Sequence, residues 1–155
     1  MDNMFTLNVI YMNNKTMALL VSFFSAHALA AGNYAAVELT HVSPTHAEST
    51  WERANQLMPR YPVDLAMKGI VGCGVFKVNV NADGSSEQVT MLSSVPKRVI
   101  AKPAISIIKK WDWQLVPGKS ASSEEKVIRL DFCMGGSTEL EARKRCQQQA
   151  TLTCE

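Results

Sequence analysis

The chain has 155 residues and a formal net charge of +2, a length that suits one ordinary domain and excludes two full ones. Hydrophobic residues at 46% and charged residues at 19% can bury a core, which excludes wholesale disorder, and scattered lysines at near-neutral charge exclude a nucleic-acid footprint. The four cysteines are too few for a disulfide-dense mini-protein and enough for one or two staples in an oxidising compartment.

Residues 1–30 hold one acid, Asp2, and one base, Lys15, both ahead of an apolar run from Met17 to Ala30. That run is shorter than the roughly 20 residues that span a bilayer. It fits a secretory h-region of about 7–15 residues. Ala28-Leu29-Ala30 matches the small-residue cleavage rule, so residues 1–30 read as a signal peptide. Met12 offers an alternative start with the short n-region Met12 to Lys15. The competing readings are an N-terminal core helix and an uncleaved anchor extending through Ala36.

Residues 31–44 show no clear period and read as a loose lead-in. Ala47, Trp51, Ala54 and Met58 then recur at helical spacing, with Glu48, Glu52 and Arg53 opposite, which predicts an amphipathic helix over 45–58 ended by Pro59. Arg60-Tyr61-Pro62 is extended, and Val63 to Lys68 forms a short helix before Gly69, Gly72 and Gly74. Val75 to Val80 alternates Phe76, Val78 and Val80 inward against Lys77 and Asn79 outward, a half-buried strand. Asn81 to Gly84 is a hairpin turn, because Asp-Gly supplies the positive φ angles, and Glu87 to Leu92 is the returning strand. Ile100, Ala104, Ile107, Ile108 and Trp111 define one face of a helix with Pro103 in its first turn. After a polar loop, Lys119 to Lys126, comes a last strand, Val127 to Cys133, with Ile128, Leu130 and Phe132 inward. Thr138 to Glu141 has the capping-box form and opens a polar tail helix through about Gln149.

The string from Tyr61-Pro62 through Trp111 resembles the TonB C-terminal domain family. The resemblance rests on Arg60-Tyr61-Pro62, Ala66, Gly69 and Gly72, then Val80 to Asp83-Gly84, then Ile100, Ala104, Ile108, Lys110-Trp111 and Pro117, then Ile128, Leu130 and Phe132. It spans roughly residues 58–134. It implies an α+β fold: a three-stranded antiparallel sheet in the order 2-1-3 with helices on one face. The last strand would then be an edge. It also implies that Val127, Ile128, Arg129, Leu130, Asp131 and Phe132 receive an extended peptide of an envelope protein by strand addition. The domain layout expected is residues 31–44 as lead-in, 45–136 as the TonB C-terminal-like domain and 137–155 as tail. The family's proline-rich rod is missing, since the six prolines are scattered. Its intramembrane Ser-x-x-x-His is not reproduced either, with Ser22 and His27 five apart.

On that topology, strand parity puts Cys73 and Cys133 on the same outward face of antiparallel neighbours, which favours the pairing 73–133 with 146–154. The main competitor ties the tail to the sheet through Cys133–Cys146. Either staple would hold the tail near the last strand, where it could cover the edge. A zinc site is not expected, because there is no Cys-x-x-Cys pair and His41 and His46 lie in the lead-in. Trp111 reads as core, with Trp113 open between core and ligand platform. Lys97, Arg98, Lys102, Lys109 and Lys110 gather around one helix, either as a solvated face or as a seat for acidic lipid headgroups or an acidic partner. No nucleophile motif or phosphate loop appears.

The function expected is a non-enzymatic periplasmic interaction module without cofactor or metal. Its partner would be an envelope protein, an outer-membrane transporter or a TonB-system component, with homodimers through edge strands as a further form. The alternatives are a membrane-anchored short TonB-type transducer, held in the inner membrane by an uncleaved N-terminus, and an accessory or small-ligand-binding protein.

Overall fold

The computed structural model describes residues 33–55 and 57–155, so the expected signal peptide lies outside the described residues. Six strands and three helices follow in the order β1 (Ala35–Ser43), β2 (Trp51–Arg53), α1 (Val63–Met67), β3 (Gly72–Val80), β4 (Ser86–Val95), α2 (Ala101–Ile108), β5 (Trp113–Leu115), β6 (Glu124–Met134) and α3 (Glu139–Ala150). The main sheet runs β1-β6-β3-β4 and is antiparallel throughout. A second sheet pairs β2 with β5.

The expected hairpin forms as β3 and β4, joined at Asn81 to Gly84. Asp83 accepts from the Ser85 backbone and hydroxyl at 2.9 and 2.7 Å, closing the turn. Gly84 has φ 83° and sits against the Trp113 carbonyl, where a Cβ would come within 2.5 Å. Only glycine fits that approach. Inward-facing Phe76, Val78 and Val80 of β3 meet Ile128, Leu130 and Phe132 of β6. Leu65 of α1, Ile100, and Ala104 and Ile108 of α2 close over them, with Trp51 and Trp113 at one end. Tyr61 packs edge-to-face on Phe132 at 5.6 Å and donates to the Ile70 carbonyl at 2.6 Å.

Three expectations about the sheet and the helices need correction. The sheet has four strands, not three: residues 35–43 of the supposed lead-in form β1, paired with β6 from Ala35↔Met134 to Ser43↔Val127. Val37 is buried in the core and Ala36 on the opposite side, so both faces of β1 are used. The helix expected over 45–58 is absent. A turn at 46–48 leads into β2, whose Trp51 and Arg53 face inward while Glu52 faces out. The helical spacing loses because a carboxylate from another strand claims the backbone. Glu124 accepts from the Thr50 and Trp51 amides at 2.7 and 3.2 Å, and those amides are unavailable to a helix.

Nor are the helices confined to one face. α1 and α2 cover the core side, and α3 packs across β1 and β6 on the other. Thr138 caps α3 as its sequence suggests, accepting from the Glu141 amide at 3.2 Å. The helix is polar overall, and its buried stripe is Ala142 and Cys146, set against Ala36 and Cys133.

The disulfides are Cys73–Cys154 and Cys133–Cys146. The favoured 73–133 pairing fails on register. Cys73 lies opposite Asp131, while Cys133 lies opposite Ala36 on β1. Parity identifies the face of a strand but is blind to a slip of two residues. The cross-links close loops of 81 and 13 residues. On a chain-entropy account the longer is worth about 1.5 kcal/mol more. Urea unfolding of the double variants Cys73→Ala/Cys154→Ala and Cys133→Ala/Cys146→Ala should show the larger loss for the first; equal losses would refute that ranking.

Candidate partner-binding surface

Two charges are buried in β6, one on each face. Lys126 is fully buried on the core side. Its Nζ meets Glu124 at 2.7 Å and Ser49 Oγ at 2.8 Å and lies 5.5 Å from the Trp113 ring. Asp131 is fully buried on the other side, held by Arg129 Nε and Nη2 at 2.8 Å each and by Gln149 at 3.0 Å. Arg129 also donates to the carbonyls of Gln149 and Leu152 at 2.9 and 2.6 Å. These bonds fasten the end of α3 to the sheet, and their charge assistance makes them the stronger kind.

The consequence for binding is direct. Val127, Ile128, Arg129, Leu130, Asp131 and Phe132 are not an edge: β1 pairs with one side of them and β3 with the other. The strand-addition site expected there is filled by the chain's own β1. The tail's helix α3 lies on a face rather than along an edge, and the tail's end meets β4, where the Ser93 hydroxyl donates to the Cys154 carbonyl at 2.6 Å. The open edges of the main sheet are the outer sides of β1 and β4. The outer side of β1 is flanked by Leu57, Met58 and Pro59, which line a cavity of about 230 Å³ with Val37, Leu39 and His41. β4 is ten residues long and presents Leu92 and Val95 to solvent.

The motif residues are mostly structural. Tyr61 supports Phe132, and burial pushes its phenol up to about 12. Pro62 is buried ahead of α1. Ala66 supplies its carbonyl to the amide of Gly69 at 3.0 Å. Gly72 lies against the Val95 carbonyl with φ 144°. Pro117 follows β5. Both tryptophans join the core: Trp113 is 5% exposed, and Trp111 packs against the same cluster. Trp111 is only half-buried, with the Arg53 guanidinium 4.4 Å above its ring. That pair forms one wall of a cavity of about 490 Å³ also lined by Met58, Arg60, Ile107 and Lys110. The basic cluster splits between the ends of α2, with Lys97, Arg98 and Lys102 at its start and Lys109 and Lys110 at its finish. Sequence reasoning missed β1, Lys126 and Glu124. The only sequence signal for Lys126 and Glu124 was their parity with Ile128.

Residues 58–133 match the family model described as Gram-negative bacterial TonB protein C-terminal. Over that segment the chain belongs to the TonB C-terminal domain family, and as such it is a protein-interaction module of the envelope. A solved structure, the solution NMR structure of the Pseudomonas aeruginosa TonB CTD, is 19% identical, covers 57% of this chain and 88% of that chain, and has a TM-score of 0.39. Among curated proteins none matches the chain. β1 and α3 both lie outside the matched residues. Among the described residues no helix is long and apolar enough to cross a membrane, and no cluster of side chains could hold a metal ion.

Two titrations follow. Burial raises the Glu124 carboxyl, but the Lys126 bond and the two backbone amides outweigh it and hold it below the usual glutamate range. Its stabilisation is present above the unfolded value and lost as pH falls through the folded one. Glu124→Gln, which strands Lys126, should cost about 3 kcal/mol at pH 7, with the gap to wild type closing below that carboxyl's lowered pKa. A gap that stays constant with pH in urea titrations would be the contrary result. Burial, then the neighbouring Lys126, His46 and Arg53, lowers His41. The unfolded chain therefore takes up this proton first. Stability from His41 is full above about pH 6.5 and erodes as pH falls through that value. His41→Gln should flatten the fall in melting temperature over that range.

Proposed function

We propose that this protein is a non-enzymatic periplasmic module that takes an extended segment of an envelope protein as an added strand on the free edge of β4, Ser86–Val95. The partner in this reading is an outer-membrane transporter or a TonB-system component. The observation that carries it is the filling of the outer edge of β6 by β1, which leaves β4 as the long unpaired edge within the family domain. A strand edge offers a row of unpaired amides and carbonyls, and an incoming chain gains main-chain bonds there. The exposed Leu92 and Val95 offer apolar contacts to its side chains. Pairing of two β4 edges is the homodimeric form of the same contact.

The test is amide hydrogen exchange by NMR with a capped heptapeptide of alternating threonine and valine. Protection should rise at alternate residues of 86–95 and stay unchanged along β6. Protection gained along β1, or nowhere, would overturn the assignment to β4.

A further inference from the structure

The cavity of about 490 Å³ lies between the chain leaving β2 and the end of α2. Its two walls are joined by backbone. Arg53 pairs with Trp113 in the β2–β5 ladder, and the Ala54 amide donates to the Asp112 carbonyl at 2.9 Å. Within the first wall the Leu57 amide donates to Asn55 Oδ1 at 2.9 Å, and Pro59 is buried. The walls are therefore set before any ligand arrives. The volume falls within the range of about 300–1,000 Å³ typical of small-molecule sites.

Cations dominate the lining: Arg53, Arg60 and Lys110 against the single acid Asp112. Arg53 is 8% exposed. Its guanidinium lies 4.4 Å from the centre of the Trp111 ring, and its Nη2 donates to the Leu57 carbonyl at 3.0 Å. Stacking and that bond fix the plane of the guanidinium, so it loses little side-chain entropy on meeting an anion. Burial lowers its pKa from the ordinary arginine value. The same loss of water strengthens its attraction for a negative charge. Arg60 and Lys110 are exposed at the mouth, and among the described residues neither is in an ion pair. The end of α2 does little to offset these charges, because the Ile105, Ile107 and Ile108 carbonyls already accept from the Lys109, Lys110 and Trp111 amides. Met58 and Ile107 add apolar surface beside the half-buried Trp111 indole.

We propose that this cavity binds a small organic anion, a carboxylate carried on a flat apolar body of one or two rings. The carboxylate meets the Arg53 guanidinium, whose fork matches its two oxygens. The rings lie along Trp111, Met58 and Ile107, and Arg60 and Lys110 draw the anion to the mouth. No residue of β4 lines the cavity, so this site stands or falls independently of strand addition.

The experiment titrates the full chain at pH 7 with 2-naphthoate, 2-naphthol and acetate, read by calorimetry and by NMR shift mapping. Naphthoate should bind at least tenfold tighter than naphthol, which lacks the charge, and than acetate, which lacks the rings. Its shifts should centre on Arg53, Arg60 and Trp111. The variant Arg60→Gln/Lys110→Gln removes two exposed charges and keeps the buried frame. It should weaken naphthoate about fivefold and leave naphthol unchanged. Equal affinity for naphthoate and naphthol, shifts centred elsewhere, or a double variant that binds naphthoate like wild type would each overturn the proposal.

Discussion

The fold depends on the saturation of β6. This strand has a neighbour on each edge and a layer on each face, and it carries a buried charge into each layer. Charges cannot be buried without partners, so each one recruits structure. Lys126 draws in Glu124 and Ser49, and Glu124 in turn takes the amides of Thr50 and Trp51 and organises β2. Asp131 draws in Arg129 and Gln149, which fasten the end of α3. The two disulfides reinforce that second layer from Cys133 and Cys73.

That saturation decides where a partner can dock. In the three-stranded sheet implied by the resemblance, the last strand is open. Here β1 closes it and α3 covers the adjoining face, and both come from outside the residues that match the family. The available edge moves to the other side of the sheet, to β4. There the turn at Pro96 to Arg98 and the pinned tail frame one end.

Much of the family domain was legible along the chain because its signals are local. The period-2 run from Phe76 to Val80, the Asp83-Gly84 turn, the face of Ile100, Ala104 and Ile108, and the Thr138 cap all appear where their spacing places them. The failures share one cause. Trp51 and Met58 have helical spacing, but Glu124, more than seventy residues away, takes the backbone amides. Val37 and Leu39 alternate too weakly among small and polar neighbours to announce a strand, yet β6 supplies the missing partner. The cysteine faces were readable and the register was not. The candidate site was less legible still: the basic residues Lys97 and Arg98 were visible, but not the edge beside them.

The sequence by itself determined many of the local elements, the resemblance over residues 58–134 and the upper limit of two staples, since propensity, spacing and composition act over a few residues. The tertiary structure alone decided which edge is open and which cysteines pair. Those outcomes depend on strand register and on contacts between distant segments, and a strand can slip by two residues without changing any pattern that the sequence displays.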